Sequence, residues 1–431
     1  MAMNETDIPV TDSRHPQWRQ GRIGSQARRE RWVYVGFALF WNAFSQPMFW
    51  LLALKETNIE PLPLLLAGLF PLAGLWLAYV AIVKTLQWWR FGNLELTMDP
   101  FPGSRGGDVG GMIELPIPYR AGKRVEVTLS CINVVINRGS KNNTRSEKVL
   151  WREHATLPVE PGMRGSRVSF SFSVPADQPA TTEPSDNCIQ WVVHLHRQLP
   201  GADLDQTFEL PVLDTGTPLK SRHIRKASTR VETAAELPED NVVMQHTAEG
   251  LHVFYPTSRG RSMGLALLAF GSTFGIAPWL IGAHASEFAD GGGFGMIFLV
   301  FGGFFILVFG LVGLLLIGFG LYALFNSLEV NVSGAGVIST RRFLGLRFQR
   351  ILQRSAIKQL RFKINAQEGQ GARAKVHYLL EAVPVSGSPV CLGDTIKGQP
   401  LARRLMQELG KVLGHTEWSE ARRFGARMKS R

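Results

Sequence analysis

His194 and His196 stand two apart in the run Cys188-Ile-Gln-Trp-Val-Val-His-Leu-His196. Period-two alternation puts both imidazoles on one face of a strand, where, with Cys188 close in sequence, they could begin a zinc site. No third ligand has suitable spacing, so the pair reads as a polar strand face and no metal is assigned. Asn42, Ser45, Gln46 and Pro47 interrupt the first apolar stretch of the chain, and Ser272 and Thr273 lie in the third. No acidic or basic side chain falls inside these stretches, which weakens the case for a driven transporter. The polar residues read as hydrogen-bonding groups between helices, with Pro47 and Pro278 as kinks. The glycine-rich runs 103–111 and 291–295 lack the Lys-Ser/Thr ending of a phosphate loop. No Ser-His-Asp order, no HExxH and no paired carboxylates occur in a recognisable frame. The expectation is a protein that is not an enzyme, with no catalytic residue and no cofactor.

Arg341, Arg342, Arg347, Arg350 and Arg354 follow the fourth apolar stretch, and Arg422, Arg423, Arg427, Lys429 and Arg431 end the chain. Each Lys or Arg held at an anionic bilayer surface contributes about 1 kcal/mol, so the first five are the candidate contacts to lipid headgroups. The positive-inside rule accounts for cations at these positions as well, and both readings stand. The formal charge of +12 resides as an excess in residues 327–431 and is not spread over the chain. It therefore indicates a membrane surface and not a nucleic acid.

These residues must be positioned by elements of two kinds. A helix needs roughly 20 apolar residues to cross a bilayer core. Four stretches have that length: 33–54 and 62–83 as one hairpin, 263–281 and about 295–325 as another. Gly271 and Gly275, and on the fourth stretch Gly303, Gly310, Gly313 and Gly320, mark packing seams whose partner is either within the chain or a second copy. The flanks facing the large polar regions carry Arg22, Arg28, Arg29, Arg31, Lys84, Arg90, Arg259 and Arg261, while the two opposite loops hold Lys55 against Glu56, Glu60, Glu287 and Asp290. Both termini are thus expected in the cytoplasm of a multi-pass protein of a bacterial inner membrane. The polar, Arg-rich first thirty residues do not read as a cleaved signal, and Trp32, Trp88 and Trp89 sit where interfacial anchors belong. Cys131, Cys188 and Cys391 are isolated, which fits reduced thiols better than a disulfide framework.

The polar regions alternate with period two. Between the hairpins, 93–98, 111–116, 124–134, 148–157, 167–174, 188–196 and 206–212 read as strands of an all-β sandwich. After the second hairpin, 328–332, 337–341, 344–351, 357–364, 375–382 and 389–392 read as a small β domain closed by a helix over 400–413, which Gly414 ends. The expected organisation is a tail over 1–32, a transmembrane hairpin over 33–92 and a β-sandwich over 93–213. A linker over 214–262 follows, then a second hairpin over 263–326, the small β domain over 327–415 and a basic tail over 416–431. Phe91-Gly-Asn-Leu-Glu-Leu96 and Phe325-Asn-Ser-Leu-Glu-Val330 open both β regions alike, a weak internal repeat.

Phe170-Ser-Phe-Ser-Val-Pro175, Pro179, Ile189-Gln-Trp-Val-Val193 and Phe208-Glu-Leu-Pro-Val212 resemble the arrestin-type β-sandwich over about 120 residues. The likeness implies an adaptor that binds protein without chemistry; the basic phosphate-sensing core of arrestins has no counterpart here. Gln349-Arg-Ile-Leu352, Ile357, Tyr378-Leu-Leu380 and the helix 402–413 resemble, more loosely, the pleckstrin-homology-like domains of bacterial membrane proteins. The expected function is a membrane-anchored binding or scaffold module, with the lipid bilayer and either an unknown protein or a second copy as partner. A small channel or transporter component is the alternative.

Overall fold

The computed structural model describes residues 18, 21–55, 61–138, 143–222, 242–283, 293–415 and 418–421. The basic tail from 422, the stretch 223–241 and the loops 56–60 and 284–292 lie outside them. The chain divides into two units, Met1–Arg230 with Gln367–Ala374, and Val231–Ala366 with Lys375–Arg431.

In the first unit, helices α1 (Ala27–Lys55) and α2 (Pro61–Phe91) occupy the first two apolar stretches. Pro61 opens α2, where a missing N–H costs nothing. The interruptions Asn42 and Gln46 face α2: the Asn42 amide donates to the carbonyls of Ala38 (2.8 Å) and Gly74 (2.9 Å), and Gln46 donates to Pro71 O (3.3 Å). A side chain on residue 74 would collide with Asn42, its Cβ lying 2.6 Å from Oδ1. α2 stops where Gly92 turns to φ +64° and its N–H caps Trp88 O, a left-handed ending that glycine adopts without strain.

The strands of this unit are β1 (Arg22–Gly24), β2 (Glu95–Met98), β3 (Gly103–Ser104), β4 (Asp108–Leu115), β5 (Arg124–Arg138), β6 (Asn143–Pro158), β7 (Glu160–Gly162), β8 (Gly165–Ser173), β9 (Asn187–Arg197), β10 (Leu204–Leu210) and β11 (Val212–Leu213). They form sheets of order β1-β2-β4-β8-β7 and β10-β9-β5-β6, plus the pair β11-β3. Inward residues of both large sheets, including Leu96, Ile113, Phe170, Leu129, Trp191, Val193 and Phe208, share one buried core. The expected strand 206–212 is divided because Pro211 has no N–H for the ladder; β11 beyond it pairs in parallel with β3. The expected N-terminal tail contributes β1, paired with β2, and a buried Trp18.

In the second unit, α3 (Arg261–Ala283) and α4 (Gly293–Phe325) occupy the other two apolar stretches. By length and composition, Phe70–Phe91 and Leu307–Phe325 are the described segments apolar enough to cross a membrane. The α3–α4 seam is made of glycines: a Cβ on Gly271 would meet Gly313 O at 3.0 Å, and one on Gly320 would meet Gly264 O at 3.0 Å. Cβ atoms on Gly303 and Gly310 would meet nothing within 4 Å among the described residues, whereas Gly271, Gly313 and Gly320 find their seam partner within the chain.

The strands are β12 (Val243–Thr247), β13 (Gly250–Tyr255), β14 (Asn326–Ser333), β15 (Gly336–Phe343), β16 (Leu346–Gln353), β17 (Ile357–Glu368), β18 (Lys375–Pro384), β19 (Val390–Lys397) and β20 (Trp418–Ala421). They form sheets of order β12-β13-β14-β15-β16 and β19-β18-β17-β20. Residues 243–255 were expected within a linker and instead supply two strands, with Leu251, Val253 and Tyr255 buried in alternation. Helix α5 (Gln399–Leu413) buries Ala402, Leu405, Met406, Leu409 and Leu413 and ends at the left-handed Gly414. The repeated motif has one structural meaning in each unit. A helix ends at Phe91 or Phe325, and the chain that follows buries Leu94 just before β2 and Leu96 within it, or Leu328 and Val330 within β14.

Candidate functional site

Each unit places one carboxylate among basic groups at the foot of its helical hairpin. In the first unit this is Asp205 on β10. Its Oδ1 accepts from His194 Nε2 (2.8 Å) and Arg373 Nε (2.7 Å), and its Oδ2 accepts from Lys84 Nζ (2.9 Å). Glu30, in the first turn of α1, completes the cluster by pairing with Arg373 Nη1 at 2.9 Å and Lys84 at 3.8 Å. The strand pairing allows this meeting: β10 runs antiparallel beside β9, with Asp205 opposite His196 and two residues from Thr207, the partner of His194, on the same strand face.

Electrostatics follow from the contacts. Burial alone would raise the Asp205 pKa, but the hydrogen bond from His194 and the charges of Arg373 and Lys84 outweigh it and hold the carboxyl well below its ordinary range. Burial lowers His194, and Asp205 only partly offsets this, so the imidazole is neutral at pH 7 and donates Nε2–H. Burial likewise works against the Arg373 charge, yet Glu30 and Asp205 keep its pKa above the ordinary value. Both Asp205 oxygens are engaged, which makes the cluster a fixed joint. Beside it, Arg31 lies over the Trp88 ring at 3.9 Å, and Arg90 donates to Ala202 O at 3.1 Å.

In the second unit the carboxylate is Asp394 on β19. Arg259 pairs with its Oδ1 at 2.8 Å and Arg341 with its Oδ2 at 2.5 Å. Arg341 also donates to Tyr322 Oη (2.9 Å) in the last turn of α4 and to Asn326 Oδ1 (3.1 Å). Burial pushes the neighbouring Cys391 thiol up to about 11, with Asp394 adding to the effect.

The candidate residues named from sequence are distributed as follows. His194 and His196 share a face, their rings 6.1 Å apart, but His194 is committed to Asp205, and Cys188 is buried against Ile132, Val134 and Val192. Among the described residues no three His, Cys, Asp or Glu side chains gather as metal ligands. Of the five arginines, Arg341 is bound within the protein as above. Arg342 is exposed and pairs with Glu329 at 2.9 Å, and Arg350 donates to Pro389 O at 3.1 Å. Arg347 is exposed on β16, and Arg354 follows the far end of that strand. They line a hairpin about 25 Å long and do not form a single patch. Sequence reasoning missed Asp205, Asp394, Glu30 and Arg373, which are scattered along the chain and carry no local signal that sets them apart from solvated charges.

No family model matches the chain, and no curated protein matches it. Among solved structures, it is similar to the sporulation control protein Spo0M from Bacillus subtilis, with 12% identity, a TM-score of 0.21, and coverage of 39% of this chain and 80% of that one. A likeness of that size leaves the functional reading to the chain's own geometry.

Proposed function

We propose that the chain is a membrane-anchored binding or scaffold module of a bacterial inner membrane. Two helical hairpins hold it in the bilayer, and its β regions, of which the first is a sandwich of arrestin type, face the cytoplasm and bind a partner protein or a second copy without catalysis. The observation that carries the reading is a division of surface. Phe40, Phe44, Leu72, Trp76, Leu314 and Phe319 on the helices are 60% to 69% exposed, while the β cores close on themselves. Contiguous exposed apolar helices are stable against lipid and not against water. The arrestin-type reading draws further support from Trp191, whose Nε1–H binds Pro179 O at 2.9 Å inside the shared core.

Cross-linking in native membranes followed by affinity purification tests it: a recurrent protein partner or a cross-linked self-dimer is expected, with the chain resisting alkaline carbonate extraction. A channel or transporter component is the competing outcome. Solute flux in proteoliposomes above the empty-vesicle background, abolished by Asn42→Leu with Gln46→Leu, would overturn the scaffold reading.

A further inference from the structure

The hairpin β15–β16 is built unlike a water-facing hairpin. Its two-residue turn, Leu344-Gly345, has both residues left-handed, with φ of +45° and +84°. Such turns favour Asn-Gly or Asp-Gly, because a bulky side chain at positive φ is strained. Here the position is held by a leucine that is 58% exposed. Leu346 and Phe348, on the same face as the half-buried Phe343, are exposed to the same degree.

The strand register states how far the tip reaches. β14 begins at Asn326, directly after α4 ends at Phe325, and Asn326 pairs with Phe343. The turn after Phe343 therefore extends back past the helix exit, to the level of the last turn of α4. The side chains agree: the Tyr322 ring lies 5.4 Å from that of Phe343, and Tyr322 and Phe325 are themselves exposed. The apolar surface of α4 thus continues onto the hairpin tip. One step behind the tip, Arg342 and Arg347 are directly paired across the two strands, both exposed. In depth order the hairpin presents leucine, then an aromatic–leucine pair, then two arginines. This matches hydrocarbon boundary, interface and headgroup phosphate.

We infer that the tip of the β15–β16 hairpin is a wedge inserted into the bilayer interface beside α4, with Leu344, Phe343 and Leu346 among the acyl chains and Arg342 and Arg347 on anionic phospholipid headgroups. The inference rests on the membrane reading proposed above and narrows its headgroup contact from five arginines to two. Arg341 is excluded by its commitment to Asp394 and Tyr322, Arg350 by its bond to Pro389 O and its place opposite Ser339, three positions further from the tip, and Arg354 by its place at the opposite end of the strand.

The test uses the full chain reconstituted in vesicles of mixed neutral and acidic phospholipid. An environment-sensitive fluorophore is attached at Leu344→Cys, and in a second variant at Val385→Cys. Val385 is also apolar and exposed (71%), and its N–H binds Ala356 O at the other end of the hairpin. The residue-344 probe should show blue-shifted emission and several-fold stronger quenching by lipids spin-labelled near the headgroup than the residue-385 probe. Arg342→Gln with Arg347→Gln should reduce that quenching in acidic vesicles and leave neutral vesicles unchanged. Equal, water-like emission at both positions in protein that stays with the vesicles through carbonate would overturn the wedge alone. Release of the protein by carbonate would overturn the membrane reading itself. A blue-shifted residue-344 probe that lipid labels do not quench, with residue-344 cysteines cross-linking between chains, would assign the tip to a second copy and overturn the inference.

Discussion

At the scale of single residues, Asp205 holds the most telling position, because three donors converge on its two oxygens. Asp205→Asn leaves Lys84 and Arg373 with Glu30 alone. Removing one partner of a buried pair costs several kcal/mol, and with Arg373 still 35% exposed the expected loss is smaller, about 1–3 kcal/mol. It would be read from the unfolding midpoint in detergent micelles; an unchanged midpoint would show the cluster to be energetically idle. The pH dependence has a definite sign. The depressed Asp205 pKa contributes stability that is present above its ordinary value near 4 and lost as pH falls through the folded value. The depressed His194 pKa makes the neutral ring the folded form, so stability is also lost as pH falls below about 6.5. Stability should therefore decline on acidification in two stages, and His194→Gln should remove the upper one. The thiols offer a further check. Cys131 is fully buried and its pKa is raised by that burial, so a maleimide should leave it unmodified in native protein and label it on denaturation.

At the scale of elements, the seam of α3 and α4 is decided by which glycines approach backbone. Gly313→Leu would drive a side chain into Gly271 O and Gly275 N, both within about 3 Å of its Cβ, and should cost about 1–3 kcal/mol as overpacking does. Gly310→Leu, with nothing within 4 Å, should leave the midpoint within about 0.5 kcal/mol of the parent. Equal effects in a detergent unfolding titration would count against the seam. A second element is the segment 367–374, held in the first unit by Arg152. That guanidinium donates to Ser130 Oγ (2.9 Å), Ala374 O (2.5 Å) and Ala372 O (2.9 Å). Arg152→Met leaves both carbonyls without this donor and should destabilise by about 2 kcal/mol. Amide hydrogen exchange should rise in 367–374 first; unchanged protection there would refute the clamp.

At the scale of the whole molecule, the topology proposal places both β regions on one side of the membrane. The native thiols are poor reporters, since Cys131 and Cys188 are buried. Met163 and Val385, 92% and 71% exposed in the first and second units, are better sites. Met163→Cys and Val385→Cys should both escape an impermeant maleimide in intact spheroplasts and react after permeabilisation. Labelling of either before permeabilisation would reverse the scheme for that unit.

Periodicity made much of this chain legible before any coordinates. Period-two alternation located β4 to β6, β8 and β9, and β14 to β19; most of these strands bury one face, while β16 carries the alternation with both faces exposed. Apolar length located all four long helices, and the left-handed need of Gly414 ended α5 where expected. Short or divided strands escaped: β1 has three residues, β11 follows a proline, and β12 and β13 sit in a polar stretch whose alternation is too brief to stand out. The acidic joints were illegible for a different reason. Glu30, Lys84, His194, Asp205 and Arg373 span 343 positions, and nothing local distinguishes a carboxylate that will be clamped from one that will be solvated. The five arginines looked equivalent as a list of positive charges. Only the sheet register, which is a property of pairing and not of composition, set Arg342 and Arg347 beside the apolar tip, turned Arg341 inward to Asp394 and carried Arg354 to the far end.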